Sequence, residues 1–153
     1  MGTRSAIAIK HGDTIKAVYC HWDGYVEHNG FILENCYSDS VKVNKLISMG
    51  GLSSLGADIG EKHDFGAETE YADIGGMTSV SKACTFYIRD RGESEEDSGF
   101  KTFQSEEDFA EYYASSWCEY LYLFTGGEWY ISKARTTPHF ELVRDVLASK
   151  KGA

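Results

Sequence analysis

The feature that most restricts what this chain can fold into is the repeated change in the period of its apolar residues. Ile7 and Ile9 alternate with Ala6 and Ala8, His11-Gly12-Asp13 supplies a turn, and Ile15, Ala17 and Tyr19 resume the alternation. Residues 6–19 therefore predict a β-hairpin. Phe31 to Tyr37 predicts a short helix, and Ser38 or Asp39 caps a second one that buries Val43, Leu46 and Ile47 at helical spacing. Period 2 returns at Cys84, Phe86 and Ile88 and runs out into the charged turn Asp90-Arg91-Gly92-Glu93.

Ser105 with Asp108 three residues later resembles a capping box, opening a helix that carries Phe109, Tyr112, Tyr113 and Ser116 on one face. Tyr120, Tyr122 and Phe124 then alternate with Leu121 and Leu123, and Gly126-Gly127 turns the chain into Glu128-Trp129-Tyr130-Ile131. Apolar residues on both faces mark this as a central, covered strand. Thr137 and Pro138 predict the start of a last helix with Phe140, Val143, Val146 and Leu147 as its apolar stripe. The order of elements specifies an α+β protein, an antiparallel sheet of five or six strands packed by three or four helices, in one domain over residues 1–153. Its expected core contains Ile7, Ile9, Phe86, Ile88, Leu121, Leu123, Ile131, Val143 and Leu147.

Between Gly50 and about Lys82 the pattern dissolves into a glycine-rich irregular segment. A structureless insert of that length is uncommon in a compact fold, which leaves three readings: a lid over a site, an oligomerisation arm, or two short strands.

At 153 residues the chain can bury a core without staples. Its four cysteines, at 20, 36, 84 and 118, show no CxxC or zinc-type pairing and read as reduced thiols in a cytoplasmic setting. No apolar run approaches a membrane span and no signal peptide is evident, so no membrane partner is expected. A formal charge of −9 disfavours binding to nucleic-acid backbones, which depends on Lys and Arg displacing counterions. The carboxylates concentrate in Glu93-Ser94-Glu95-Glu96-Asp97, expected as a solvated loop, and in Glu106-Glu107-Asp108, expected at a helix amino terminus.

The densest chemistry lies in Tyr19-Cys20-His21-Trp22-Asp23-Gly24-Tyr25. A strand that ends in a thiol, an imidazole, an indole, a carboxylate and a phenol fits the rim of a binding site, or equally the polar cap of a core. Arg4 at the start of one strand, Arg89 and Arg91 at the end of another, and the loop from His21 to His28 would converge if their strands are neighbours. The guanidiniums would then grip phosphates, Trp22 or Tyr25 would stack on a base, and Asp23 would accept from an exocyclic amine. The competing reading makes Arg89-Asp90-Arg91-Glu93 a local ion-pair network. His21, Asp23 and His28 also offer three metal-type ligands, at a spacing that matches no zinc signature. Cys20 and His21 point to opposite faces of a strand and cannot share a proton. Walker and dinucleotide glycine patterns are missing.

Five strings occurring in order, Met1-Gly2-Thr3-Arg4-Ser5, the Tyr19 to Tyr25 run, Gly51-Leu52-Ser53-Ser54-Leu55-Gly56, Arg89-Asp90-Arg91-Gly92-Glu93 and Glu119-Tyr120-Leu121-Tyr122-Leu123-Phe124, resemble a family of small uncharacterised proteins of bacteriophages and mobile elements. Val26 departs from the Pro that family would place after Gly24-Tyr25. The resemblance brings no activity or catalytic residues, but it implies a setting in the cytoplasm of a host cell, where small accessory proteins of this kind serve takeover or the evasion of defence.

Three functions follow as expectations. The first is a binding protein that sequesters a small nucleotide-derived signal without turnover, through Arg4, His21, Trp22, Asp23, Tyr25, Arg89 and Arg91, with homo-oligomers able to form sites between chains. The second is an inhibitor that docks acidic and aromatic surface on a host protein. The third is a nucleotide phosphodiesterase built on His21 and Asp23. No cofactor or resident metal is expected for the first two.

Overall fold

The first strand, β1 (Ser5–His11), explains much of what surrounds it, because it pairs on both sides. A computed structural model describes residues 3–151 of the chain. In it, β1 forms the expected antiparallel hairpin with β2 (Thr14–Cys20), Ile7 opposite Val18 and Ser5 opposite Cys20. Its other edge runs parallel to β8 (Tyr120–Thr125), Ile7 opposite Tyr122. Beyond β8 lie β9 (Glu128–Lys133), joined to it through Gly126-Gly127, and the short β10 (Glu141–Leu142). Both turn glycines have positive φ, +61° and +80°, the conformation that a two-residue hairpin turn requires of both its residues.

On the far side, β2 continues to β3 (Leu52–Ser54) and then β6 (Thr85–Phe86), while β7 (Lys101–Phe103) pairs with another stretch of β2. The sheet is therefore mixed and eight-stranded, in the order β10-β9-β8-β1-β2-β3-β6 with β7 beside β2. β4 (Tyr71–Ile74) and β5 (Met77–Ser81) make a separate two-stranded ribbon inside the glycine-rich segment. The α+β class is as expected, but the sheet is neither purely antiparallel nor limited to five or six strands. Period 2 reveals that a segment is extended. It carries no information on which strand will be its neighbour or in which direction, and here β1–β8 and β2–β3 are parallel.

The alternation along β1 sorts two cores. Ile7 and Ile9, with Val18, Tyr122, Phe124, Trp129 and Ile131, face α1 (Phe31–Cys36), α2 (Ser40–Ser48) and α6 (Val143–Lys151). Ala6, Ala8 and Ala17 face α5 (Glu106–Ser115), where their small side chains leave room for Phe109 and Tyr113. Asp39 caps α2 by accepting from Val41 N–H, and Ser105 caps α5 by accepting from Asp108 N–H, both as the sequence predicts.

Three local expectations are corrected. The strand at Cys84–Ile88 stops at Phe86, and Tyr87–Arg91 is a helical turn, α3, so Ile88 is only half-buried. The Asp90 carboxylate accepts from the Phe86 N–H at 2.8 Å, which turns the chain at that point. The acidic loop at 93–97 contains α4 (Glu95–Ser98), capped by Ser94. The last helix begins at Val143 and not at Pro138, because Glu141 and Leu142 pair with β9 and the His139 N–H is held by Ser132 Oγ at 2.9 Å. Among the described residues, six α-helices and one π-helical turn (Val26–Gly30) replace the expected three or four. Among the described residues no helix is long and apolar enough to cross a membrane.

Leu123 lies fully in the α5-facing core. Replacing it by Ala is expected to cost about 2 to 5 kcal/mol, read as a lowered denaturation midpoint with an unchanged slope.

Candidate functional site

The segment after β2 leaves the sheet as a loop whose backbone is fixed from all sides. His21 N–H donates to Leu52 O and Trp22 N–H to Ser53 O, both at 3.0 Å, which carries β2 past its last ladder pair along β3. Gly24 N–H donates to Thr3 O at 2.8 Å, and the Tyr122 hydroxyl donates to Gly24 O at 2.6 Å. A Cβ at Gly24 would lie 2.7 Å from Ser5 Cβ and 2.8 Å from Thr3 O, so this close approach requires glycine. Asp23 sits in the left-handed region at φ 58°, and the chain then enters the π-helical turn, whose fourth residue is the buried Asn29.

Asn29 is the hub of the loop. Its side-chain amide donates to Trp22 O at 3.3 Å, to Ser5 Oγ at 3.4 Å and to Cys20 Sγ at 3.5 Å, while its Oδ1 accepts from His28 Nδ1 at 2.8 Å. Its backbone N–H reaches Asp23 O and Tyr25 O. Sequence reasoning missed it, since one Asn beside Gly30 carries no signal of burial.

The side chains of the loop divide. His21 Nδ1 lies 2.8 Å from the Tyr19 hydroxyl and its ring packs edge-on to Trp22. Burial pushes the Tyr19 phenol up to about 12, so it stays protonated beside His21. Burial also lowers the pKa of His21, and the nearby Arg4 guanidinium lowers it further, which favours the neutral imidazole. Tyr25 is half-exposed near His28, its phenol raised by burial and by the neighbouring Asp23. Trp22 is 44% exposed and forms one wall of a cleft of about 680 Å³.

Phe65, 36% exposed, lines the same cleft, as do Ser53, Ser54, His63, Lys82 and Thr85. Phe65 stacks on Tyr87 at 5.8 Å and carries the Arg91 guanidinium 5.2 Å above its ring, with Arg91 also paired to Glu93 at 3.3 Å. Of the seven residues that the sequence singled out, Trp22 lines the cleft itself, His21 packs against Trp22 and Arg91 lies over Phe65; Arg4, Asp23, Tyr25 and Arg89 are not among its lining. Asp58, Glu61, Glu68 and Glu70 also line it, so its rim is of mixed charge.

Arg89 does not join them. Its Nε and one Nη2 proton go to the Asp90 carboxylate at 2.9 and 3.1 Å, and the remaining protons go to Ile59 O, Gly60 O and Cys84 O at 3.1, 2.8 and 3.0 Å. All five donors are spent on protein, which leaves none for a phosphate. Asp90, with its side chain fully buried, accepts in addition from Phe86 N–H and His63 N–H. Burial alone would raise its pKa; the hydrogen bonds from Arg89, Phe86 and His63 outweigh burial and hold the carboxyl below the usual range. The ion-pair reading therefore describes Arg89, which clamps the glycine-rich segment to α3.

Burial pushes the Cys20 and Cys118 thiols up to about 12 and Cys84 to about 11, so all three stay protonated at neutral pH. All four cysteines are unpaired. Among the described residues no three His, Cys, Asp or Glu side chains gather as metal ligands; His21 and His28 are each committed to a different partner. Compared with protein-family models, curated proteins and solved structures, the chain shows no match.

Two outcomes follow. Arg89→Ala is expected to destabilise the fold by about 3 to 5 kcal/mol, because it strands the buried Asp90 charge; a denaturation curve measures this. Because the pKa of Asp90 is lowered in the folded state, its contribution is complete above the unfolded carboxyl value of about 3.9 and is lost as pH falls through the folded value. Below about pH 4 wild-type stability should therefore fall more steeply than that of Asp90→Asn.

Proposed function

We propose that this protein binds a small nucleotide-derived ligand and holds it without turnover, as an accessory protein of a phage or mobile element that withdraws such a signal from host defence. The observation that carries the reading is the presentation of Trp22 on a rigid loop at a cleft whose other exposed aromatic is Phe65. Two partly exposed aromatic rings at one cleft suit a planar base, with Trp22 as the platform, and stacking of this kind is worth about 1 to 3 kcal/mol per base. Arg91 above Phe65 and Lys82 on the rim supply positive charge for phosphate, and His21 packs edge-on against Trp22. Sequestration without chemistry is supported by the protonated, buried thiols and by the engagement of His21 Nδ1 with Tyr19. The setting comes from the likeness of the five sequence strings to phage proteins.

Calorimetry against a panel of linear and cyclic nucleotides tests the reading, with mass spectrometry of the recovered ligand. Binding is expected for at least one, weakened by about 1 to 3 kcal/mol in Trp22→Ala, with the ligand unchanged after long incubation. No heat with any nucleotide, together with capture of a host protein, would replace this function by the inhibitor. A cleaved nucleotide would replace it by the phosphodiesterase.

A further inference from the structure

At the opposite flank of the same sheet edge, α5 ends in a way that its sequence does not favour. Ser116 is its cap, Trp117 N–H donates to Ala114 O at 3.1 Å, and Cys118 N–H reaches back to Tyr113 O at 3.0 Å. This is a Schellman ending, whose first residue past the cap is left-handed and is usually glycine. Here it is Trp117, at φ 67°. A bulky side chain is disfavoured in that conformation. Burial does not compensate, since 65% of Trp117 is exposed.

The indole is partnered by one group, the Arg135 guanidinium, 5.0 Å from its centre. Ser115, Thr136 and Thr137 line the recess around them, and no carboxylate does. In a chain with 24 acidic and 15 basic residues that is an unusual neighbourhood. Three of the five arginines are neutralised, Arg89 by Asp90, Arg91 by Glu93 and Arg144 by Glu128. The other two, Arg4 and Arg135, make no ion pair among the described residues, and they share a location. Glu119 N–H donates to Arg4 O at 2.8 Å and Ala134 N–H to Glu119 O at 3.0 Å, which ties the chain before β1, before β8 and after β9 side by side. Both guanidiniums lie close enough to the Cys118 thiol to lower its pKa, against the larger effect of its burial.

We propose that Trp117, Arg135 and Arg4 form a second ligand site, separate from the Trp22 cleft, that takes a planar ring on the indole and a phosphate on the guanidiniums: a mononucleotide. The proposal does not rest on the reading of the Trp22 cleft. With so much of its surface in water, the indole keeps a face for a ring, while the two unpaired arginines and the threonine hydroxyls supply charge-assisted and neutral donors for phosphate oxygens.

The test is titration of the full chain with adenosine 5′-monophosphate, followed by NMR of the three indole N–H signals. The Trp117 signal, identified by its loss in Trp117→Gly, should shift; that of the buried Trp129 should not. Adenosine should bind this site at least tenfold more weakly, and Arg135→Gln should weaken the nucleotide at least tenfold while leaving any response of Trp22 unchanged. Trp117→Gly should abolish the site yet hold or raise the melting temperature, because glycine suits the left-handed position. A Trp117 signal unmoved by the nucleotide, equal responses to nucleotide and nucleoside, or a melting temperature lowered by several degrees in Trp117→Gly would each overturn the proposal. A response of Trp22 alone would support the cleft reading and sink this one.

Discussion

The structure depends on a single strand being buried on both faces and paired on both edges. β1 holds β2 on one side and β8 on the other, and its Ile/Ala alternation decides what each face can receive. The isoleucine face accepts three helices and most of the large side chains. The alanine face is shallow, so α5 approaches closely and fills the space with aromatic rings. Exchange of the two faces by a one-residue slip would place alanines under α2 and isoleucines against Phe109 and Tyr113, which the packing on neither side would tolerate.

From that strand the edge of the sheet inherits its chemistry. Thr3 O holds Gly24 N–H and Ser5 Oγ accepts from Asn29, Arg4 follows Thr3 and is tied through its carbonyl to Glu119 at the start of β8, and Tyr122 of β8 bonds the same loop from the other side. Two exposed indoles are thus displayed by groups that are themselves part of the core. Rigidity of this kind would lower the ordering cost of the binding proposed for each indole, since neither platform would have to be immobilised.

Much of this architecture was legible in the residues. The two hairpins, α1, the capped helices α2 and α5 and most of the core follow from periods and caps, which are local. The pairing of β1 with β8 was not legible, because partners more than a hundred residues apart leave no mark on either one's alternation. At the site, Trp22 stood out by composition. Arg89 looked equally suited to a ligand or to a clamp until the geometry showed all five of its protons in use. Trp117 and Arg135 escaped notice because what distinguishes them, a left-handed backbone and the lack of a carboxylate partner, exists only in three dimensions.

The parallel pairing of β1 and β8 also sets a timetable. β1 emerges from the ribosome more than a hundred residues ahead of β8, so one of its edges stays open until residues 120–125 have been made. At about 5 to 20 residues per second that is a wait of several seconds or more. Through it the apolar Ile7 and Ile9 have only the β2 hairpin and the early helices for cover. Closure of the sheet is a late, long-range event, and the edge that carries both indoles comes into being with it.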